Sequence, residues 1–314
     1  MIRFIAGILI AAFALCAPQA NARSAKQSFE HYQKIAQVGQ IPGWPPLQPQ
    51  VSGSCVPSTA ATNFLARTSG LSTPETNATC FLINDLVTAG AITGNLTGAR
   101  GCGTVLENLY FLATNNKTTA YLNLCGTSFG LTETATVTCT VDVGCAGDGV
   151  GAFLDTGWAA SSNCANCSLS SIALGAYIQS TVAVSTTVAM GASGGAFTYF
   201  VPVQTGNLFW ETNGNTFPSF ANTNPQGAWA FSKTAANLSN AYLNAATTKA
   251  SAVADTDAAL PSSDMVLFAV GGGGNFSNYQ ISCAFVAAGV TSTMAFAINN
   301  ACNHAMTVLG HNVY

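Results

Sequence analysis

Ten cysteines spread from Cys55 to Cys302 constrain this chain more than any other feature. They are Cys55, Cys80, Cys102, Cys125, Cys139, Cys145, Cys164, Cys167, Cys283 and Cys302. An eleventh, Cys16, lies in a segment that reads as a removable leader. Ten cysteines in an exported chain read as a disulfide framework, and an even set allows all of them to pair. Zinc sites instead show paired C-x-x-C or Cys/His clusters. Only Cys164 and Cys167 have that spacing, with no second pair, so no metal and no cofactor is expected. The Cys164/Cys167 pair has no βαβ context and reads as structural bridging rather than as a redox centre. Cys139 with Cys145, and Cys283 with Cys302, are the plausible local bridges.

The leader supports export. Arg3 gives a positive start, residues 4–15 (FIAGILIAAFAL) form an apolar core, and Ala20-Asn21-Ala22 is a cleavage site of small residues. The reading is a signal peptide over 1–22, a mature chain from Arg23, and a secreted protein, extracellular or periplasmic. Leu15 is too bulky for a lipoprotein site at Cys16. The apolar run is too short to cross a bilayer about 30 Å thick, so no integral span is expected.

Charged residues make up 7 % of the chain, against about 25 % in an average globular domain. Ser, Thr, Asn and Gly take their place. Nine scattered Lys and Arg cannot form the clustered phosphate-binding surface that nucleic acid requires. No nucleic-acid partner is expected.

Residues 23–50 read as a lead-in segment ending in the extended Ile41-Pro42-Gly43-Trp44-Pro45-Pro46. Residues 54–125 read as mostly helical. One helix is expected from an N-cap at Ser54 to about Thr68, a second from Pro74 to Ala89, and a third from Thr104 to Thr114 on the stripe Leu106, Leu109, Tyr110, Ala113. Tyr121 to Cys125 reads as a short strand. Beyond 126 the texture is Thr, Val, Ala and Gly. Thr134 to Cys139 and Thr181 to Ser185 alternate as strands. Ser168 to Gln179 reads as a helix, and Asp264 to Val270 as a buried strand before the Gly271–Gly274 turn. His304 to Tyr314 reads as a strand, while Ala228 to Ala250 carries no clear signal.

Two segments suggest chemistry. In Gln50-Val51-Ser52-Gly53-Ser54-Cys55-Val56-Pro57 a cysteine opens a helix of small residues. The free N–H groups and positive end of a helix lower a thiol's pKa, and an upstream Gln amide suits an oxyanion. In Asn303-His304-Ala305-Met306-Thr307-Val308-Leu309-Gly310-His311 an imidazole at a strand start suits a general base. Both residues have plainer readings: Cys55 as a disulfide partner, His304 as a structural histidine.

These segments, with Leu82 to Val87 and Gly103-Thr104 between them, resemble the papain-like cysteine peptidase superfamily, in the branch shared with bacteriocin-processing peptidases. The resemblance covers about 45–125 and 300–314. It implies an α+β fold over 51–314, with a helical half carrying the Cys helix packed on an antiparallel sheet half, and a β-rich insertion around 126–270. It implies Cys55 as nucleophile, His304 as base and Gln50 as oxyanion donor (Gln48 being a rival), acting on a peptide or protein substrate. The chain departs from the pattern in having no Asn or Asp on a following strand to orient His304. Two alternatives follow: a non-catalytic secreted or surface binding protein, and an inactive homologue of the peptidase fold.

Overall fold

The computed structural model describes residues 53–181 and 187–314. It shows a β-sandwich with helices against one outer face. Three strands explain why. In Ile172–Ile178, Gly227–Ala235 and Gln280–Ala287, nearly every residue is buried. A strand is covered on both faces only when a layer lies on each side of it.

In chain order the helices are α1 (Thr59–Leu65), α2 (Thr73–Thr88), α3 (Lys117–Ala120), α4 (Ala160–Asn163) and α5 (Ser292–Val308). The first sheet contains β1 (Leu106–Phe111), β3 (Thr138–Thr140), β4 (Gly144–Ala146), β6 (Ile172–Ile178), β11 (Gly227–Ala235), β12 (Leu238–Leu243), β13 (Thr247–Ala254) and β15 (Gln280–Ala287). Its order is β13-β12-β11-β6-β15-β4-β3, with β1 also paired to β15. The second sheet contains β2 (Thr132–Thr134), β5 (Phe153–Ala159), β7 (Met190–Ala192), β8 (Phe197–Gln204), β9 (Asn207–Gly214), β10 (Ser219–Ala221) and β14 (Asp264–Leu267), in the order β10-β9-β8-β7-β14-β5-β2. The described pairings are antiparallel.

Side-chain alternation divides the interior in two. Ile172, Leu174, Ala176 and Ile178 of β6 join Trp229, Phe231, Trp210, Trp158 and Phe200 between the sheets. Ala173 and Tyr177 of the same strand face the other way, toward Leu82, Ile83, Leu86, Ile298 and Met306 of the helices. Each fully buried Leu, Ile or Phe contributes about 1.5–3 kcal/mol, so both cores matter to stability. Cys283–Cys302 fastens the first sheet to α5, and Cys55–Cys80 fastens the chain before α1 to α2. Cys102–Cys125, Cys139–Cys145 and Cys164–Cys167 complete five bridges. Both local bridges expected from sequence are present.

The papain-like α+β expectation is overturned: two antiparallel sheets form the body, and the strands of 126–270 belong to that body rather than to an insertion. Several elements differ for the same reason. Residues 104–114 hold β1, not a helix, because pairing with β15 and burial on both faces override a helix-like spacing. Residues 168–179 hold β6, the central strand. His304 lies inside a helix that runs on to Val308 instead of opening a strand, and Tyr121 to Cys125 is irregular. The α2 helix is close to its expectation, closed by a capping box between Ser72 and Glu75 with Pro74 in the first turn. Most of the Thr181 to Ser185 strand, all of the 1–22 leader and the 23–50 lead-in lie outside the described residues.

Candidate functional site

The thiol centre expected from sequence is not formed. Cys55 is bonded to Cys80 and offers no thiolate. It also precedes the helix: the N-cap of α1 is Ser58, whose side chain accepts the Ala61 N–H. The helix end that was to activate the sulfur therefore lies beyond it. Around the bridge, the Cys55 N–H donates to Asn77 Oδ1 at 3.1 Å, and Asn84 holds the Val56 carbonyl at 2.8 Å and the Ser58 N–H at 2.9 Å. His304 sits on α5 with Nδ1 2.7 Å from Asp85 Oδ2 on α2, and its ring lies 4.7 Å from that of Phe81. Gln50 lies outside the described residues. Asp85 is the histidine's partner that sequence reasoning missed, because it was sought downstream of the histidine.

Two other places have the look of sites and close on inspection. Glu107, Cys164 and Cys167 come together as a metal-sized group. The two sulfurs are bonded to each other, though, and Glu107 Oε1 accepts the N–H groups of Ala165 and Asn166. The carboxylate caps a disulfide loop. An open groove of about 530 Å³ beside α1, lined by Ser58, Thr59, Val87, Ile92 and Asn95, carries no titratable side chain.

The most unusual chemistry lies at the end of the second sheet. Strands β8 and β9 place Tyr199 opposite Glu211 and Phe197 opposite Gly214. The following loop brings Phe217 back over them, its N–H donating to Glu211 Oε2 at 2.6 Å. Three rings gather there: Phe197–Tyr199 at 5.6 Å, Phe197–Phe217 at 5.8 Å and Tyr199–Phe217 at 5.9 Å between centroids. Phe217 is 39 % exposed, the one exposed phenylalanine among the described residues. Asn215 and Thr216, next to it, are exposed and uncharged.

Beneath the rings lie the buried Glu211, Lys233 and Asp255, with Asp257 partly exposed beside them. Lys233 donates to the Asp255 carbonyl and to Asp257 Oδ1, both at 2.8 Å, and lies 3.3 Å from Asp255 Oδ1. Thr212 Oγ1 donates to Asp255 Oδ2. Burial, reinforced by a hydrogen bond with Asp255, pushes the Glu211 carboxyl up to about 8. Burial and the nearby Glu211 push Tyr199 up to about 12. A carboxyl raised in pKa beside a second carboxylate suggests acid–base catalysis, as in glycoside hydrolysis. Here Glu211 and Asp255 have no exposed surface, so a scissile bond cannot pass between them. The rings, not the carboxylates, are what a ligand meets.

No protein-family signature matches the chain, and no curated protein is similar in sequence. Among solved structures, domain 4 of a GH43 extracellular arabinanase from Geobacillus stearothermophilus, solved with arabinotriose, is 16 % identical, with a TM-score of 0.46 over 62 % of this chain and 98 % of that one. Trypanosoma rangeli sialidase is 10 % identical, with a TM-score of 0.44 over 61 % of this chain and 32 % of the enzyme. The chain thus spans about a third of the sialidase. Neither is papain-like. The peptidase reading, with its peptide substrate and its Cys55–His304 chemistry, is set aside on the bridged sulfur and on this fold. Likeness at this level transfers no activity.

Proposed function

We propose that this protein is a non-catalytic recognition module working outside the cytoplasm, and that Phe197, Tyr199 and Phe217 form its contact for a neutral saccharide. The observation carrying the reading is the partly exposed ring cluster on the outer face of the second sheet, edged by uncharged Asn and Thr. Exposed apolar patches with a few polar neighbours mark binding surfaces. Sugars offer apolar C–H faces for rings and hydroxyls for amides, and carry no charge that would call for Lys or Arg.

Export rests on the five bridges, which persist in oxidising compartments, and on the leader-like residues 1–22. No helix among the described residues is long and apolar enough to cross a membrane. The amino terminus of the exported protein is expected at Arg23.

Affinity electrophoresis against a panel of neutral polysaccharides tests the reading. Retardation by at least one of them, weakened about tenfold or more in Phe217→Ala and Tyr199→Ala, supports it. Equal retardation of wild type and both variants, or none on any neutral polymer, overturns it.

A further inference from the structure

Lys233 is 0 % exposed, a placement rare for a lysine. Its Nζ, on β11, has three oxygen neighbours: the Asp255 carbonyl and Asp257 Oδ1, each at 2.8 Å, and Asp255 Oδ1 at 3.3 Å. The first two are hydrogen bonds and hold the nitrogen in place. The third is not aligned as one. The amine therefore rests against the carboxyl group of a second fully buried residue, Asp255, which directly follows β13. Asp257 also touches Nζ, but its side chain is 14 % exposed and the same oxygen accepts the Asn237 N–H. Its part is to position the amine.

The two oxygens of the Asp255 carboxyl are treated differently. The Thr212 hydroxyl donates to Oδ2. Oδ1 lies on the bare side of Gly214, where Glu211 Oε1 also lies, and the two carboxyls are hydrogen-bond neighbours. Such a bond needs one proton. Burial and Asp255 raise the Glu211 carboxyl to about 8, so Glu211 brings that proton at neutral pH. Glycine permits the meeting, because a Cβ at 214 would overlap Glu211 Oε1 and sit 2.6 Å from Asp255 Oδ1. Glu211 and Thr212 belong to β9 of the second sheet, whereas Lys233 belongs to the first and Asp255 follows its edge strand. Packing of the two sheets thus assembles an amine, a carboxyl and an acid in a place closed to water.

We propose that Lys233 Nζ and Asp255 Cγ condense into an intramolecular amide, with Glu211 as the acid–base catalyst of this single turnover. The ammonium first passes a proton to the Asp255 carboxylate, which removes both charges. The Nζ lone pair then attacks Cγ and forms the C–N bond, and the carbonyl electron pair moves onto Oδ2, where the Thr212 hydroxyl receives it. Glu211 gives its proton to Oδ1 and takes one from the nitrogen. The Cγ–Oδ1 bond breaks, Oδ1 leaves as water, and Glu211 is a carboxylic acid again. One amine and one carboxylic acid become one amide and one water, with no oxidant or reductant. Proximity replaces the activation that free reactants would need. The product suits the site, because a buried ion pair is costly and an amide is neutral. The bond ties β11 to the end of β13 across β12, and so clasps the edge of the first sheet independently of the disulfides. It stands on these side chains whether or not the rings bind saccharide.

The test is mass spectrometry of the exported protein with its disulfides reduced. Wild type is expected to be lighter than its sequence by one water. Trypsin cuts after a free lysine, so it is expected to spare Lys233 and to release residues 118–249 joined to residues 250–314. Fragmentation of that species is expected to place the link between Lys233 and Asp255. Glu211→Gln keeps an acceptor for the Phe217 N–H but cannot shuttle the proton. It is expected to fold, to keep the full sequence mass and to be cut after Lys233. Full mass with cleavage after Lys233 in wild type overturns the proposal, and this result needs no variant to fold. A link at Asp257, or the same amide formed in a folded Glu211→Gln, overturns it as well.

Discussion

His304 on α5 meets Asp85 on α2 through a 2.7 Å contact from Nδ1 to Oδ2, across 219 residues of chain. The pair is partly exposed, at 30 % and 40 % for the two side chains. Phe81, one turn before Asp85, packs against the imidazole. This histidine clamps two helices that together cover the first sheet. His304→Ala loses the hydrogen bond and the ring contact, and is expected to lower unfolding stability by about 1 kcal/mol. Asp85→Asn keeps a polar partner and is expected to cost about half as much. Urea melts of the three proteins measure both.

Cys55–Cys80 closes a loop of 25 residues. A cross-link of that span stabilises by about 3 kcal/mol, largely by restricting the unfolded chain. The double replacement Cys55→Ala with Cys80→Ala is expected to lose that amount in urea melts. Native, unreduced protein is expected to resist iodoacetamide at every cysteine from Cys55 to Cys302. Peptide mapping is expected to recover Cys55 joined to Cys80. Rapid alkylation of Cys55 would contradict both the bridge and the fold around it.

Local signals were readable where local chemistry decides the outcome. The helical spacing of Phe81, Leu82, Asp85 and Leu86 announced α2, and the apolar run at Asp264 announced β14. Leu106, Leu109 and Tyr110 misled because a strand buried on both faces places apolar residues at every position, helical spacings included. The same ambiguity hid β6. His304 to Tyr314 alternates like a strand, yet the packing of α5 on α2, β11 and β12 makes His304 helical. The aromatic and acidic end of the second sheet left almost no trace. Phe197, Tyr199, Glu211, Phe217 and Asp255 meet only through strand register and a returning loop, neither of which a linear pattern encodes.

Asp148 accepts three backbone N–H groups, from Val150, Gly151 and Ala152, each at 2.8 Å. These bonds favour the ionised form and lower the carboxyl to about 2. The unfolded value is about 3.9, so the folded pKa is the depressed one. The contribution is therefore complete above about pH 4 and lost as pH falls through 2. Carbon-detected NMR of the Asp148 carboxyl is expected to show a midpoint near 2. In Asp148→Ala, stability is expected to fall less steeply between pH 4 and 2 than in wild type.

Gly175 lies at the centre of β6, opposite Ala230 of β11 and Phe285 of β15. A Cβ there would press on the Trp229 carbonyl and on the Phe285 ring, with Phe285 Cζ at 2.6 Å. Backbone cannot yield without breaking the ladder, and the ring is held in the core shared with the helices. Gly175→Ala is expected to destabilise by about 3 kcal/mol, the upper range for overpacking a filled core. Gly151 is the control: a Cβ there meets nothing within 4 Å and its φ is not positive, so Gly151→Ala is expected to stay within about 0.5 kcal/mol of wild type. Adding Phe285→Leu to Gly175→Ala shortens the obstructing ring and is expected to recover part of the loss. That non-additive recovery, read from urea melts, distinguishes a clash with Phe285 from any general intolerance of β6 to substitution.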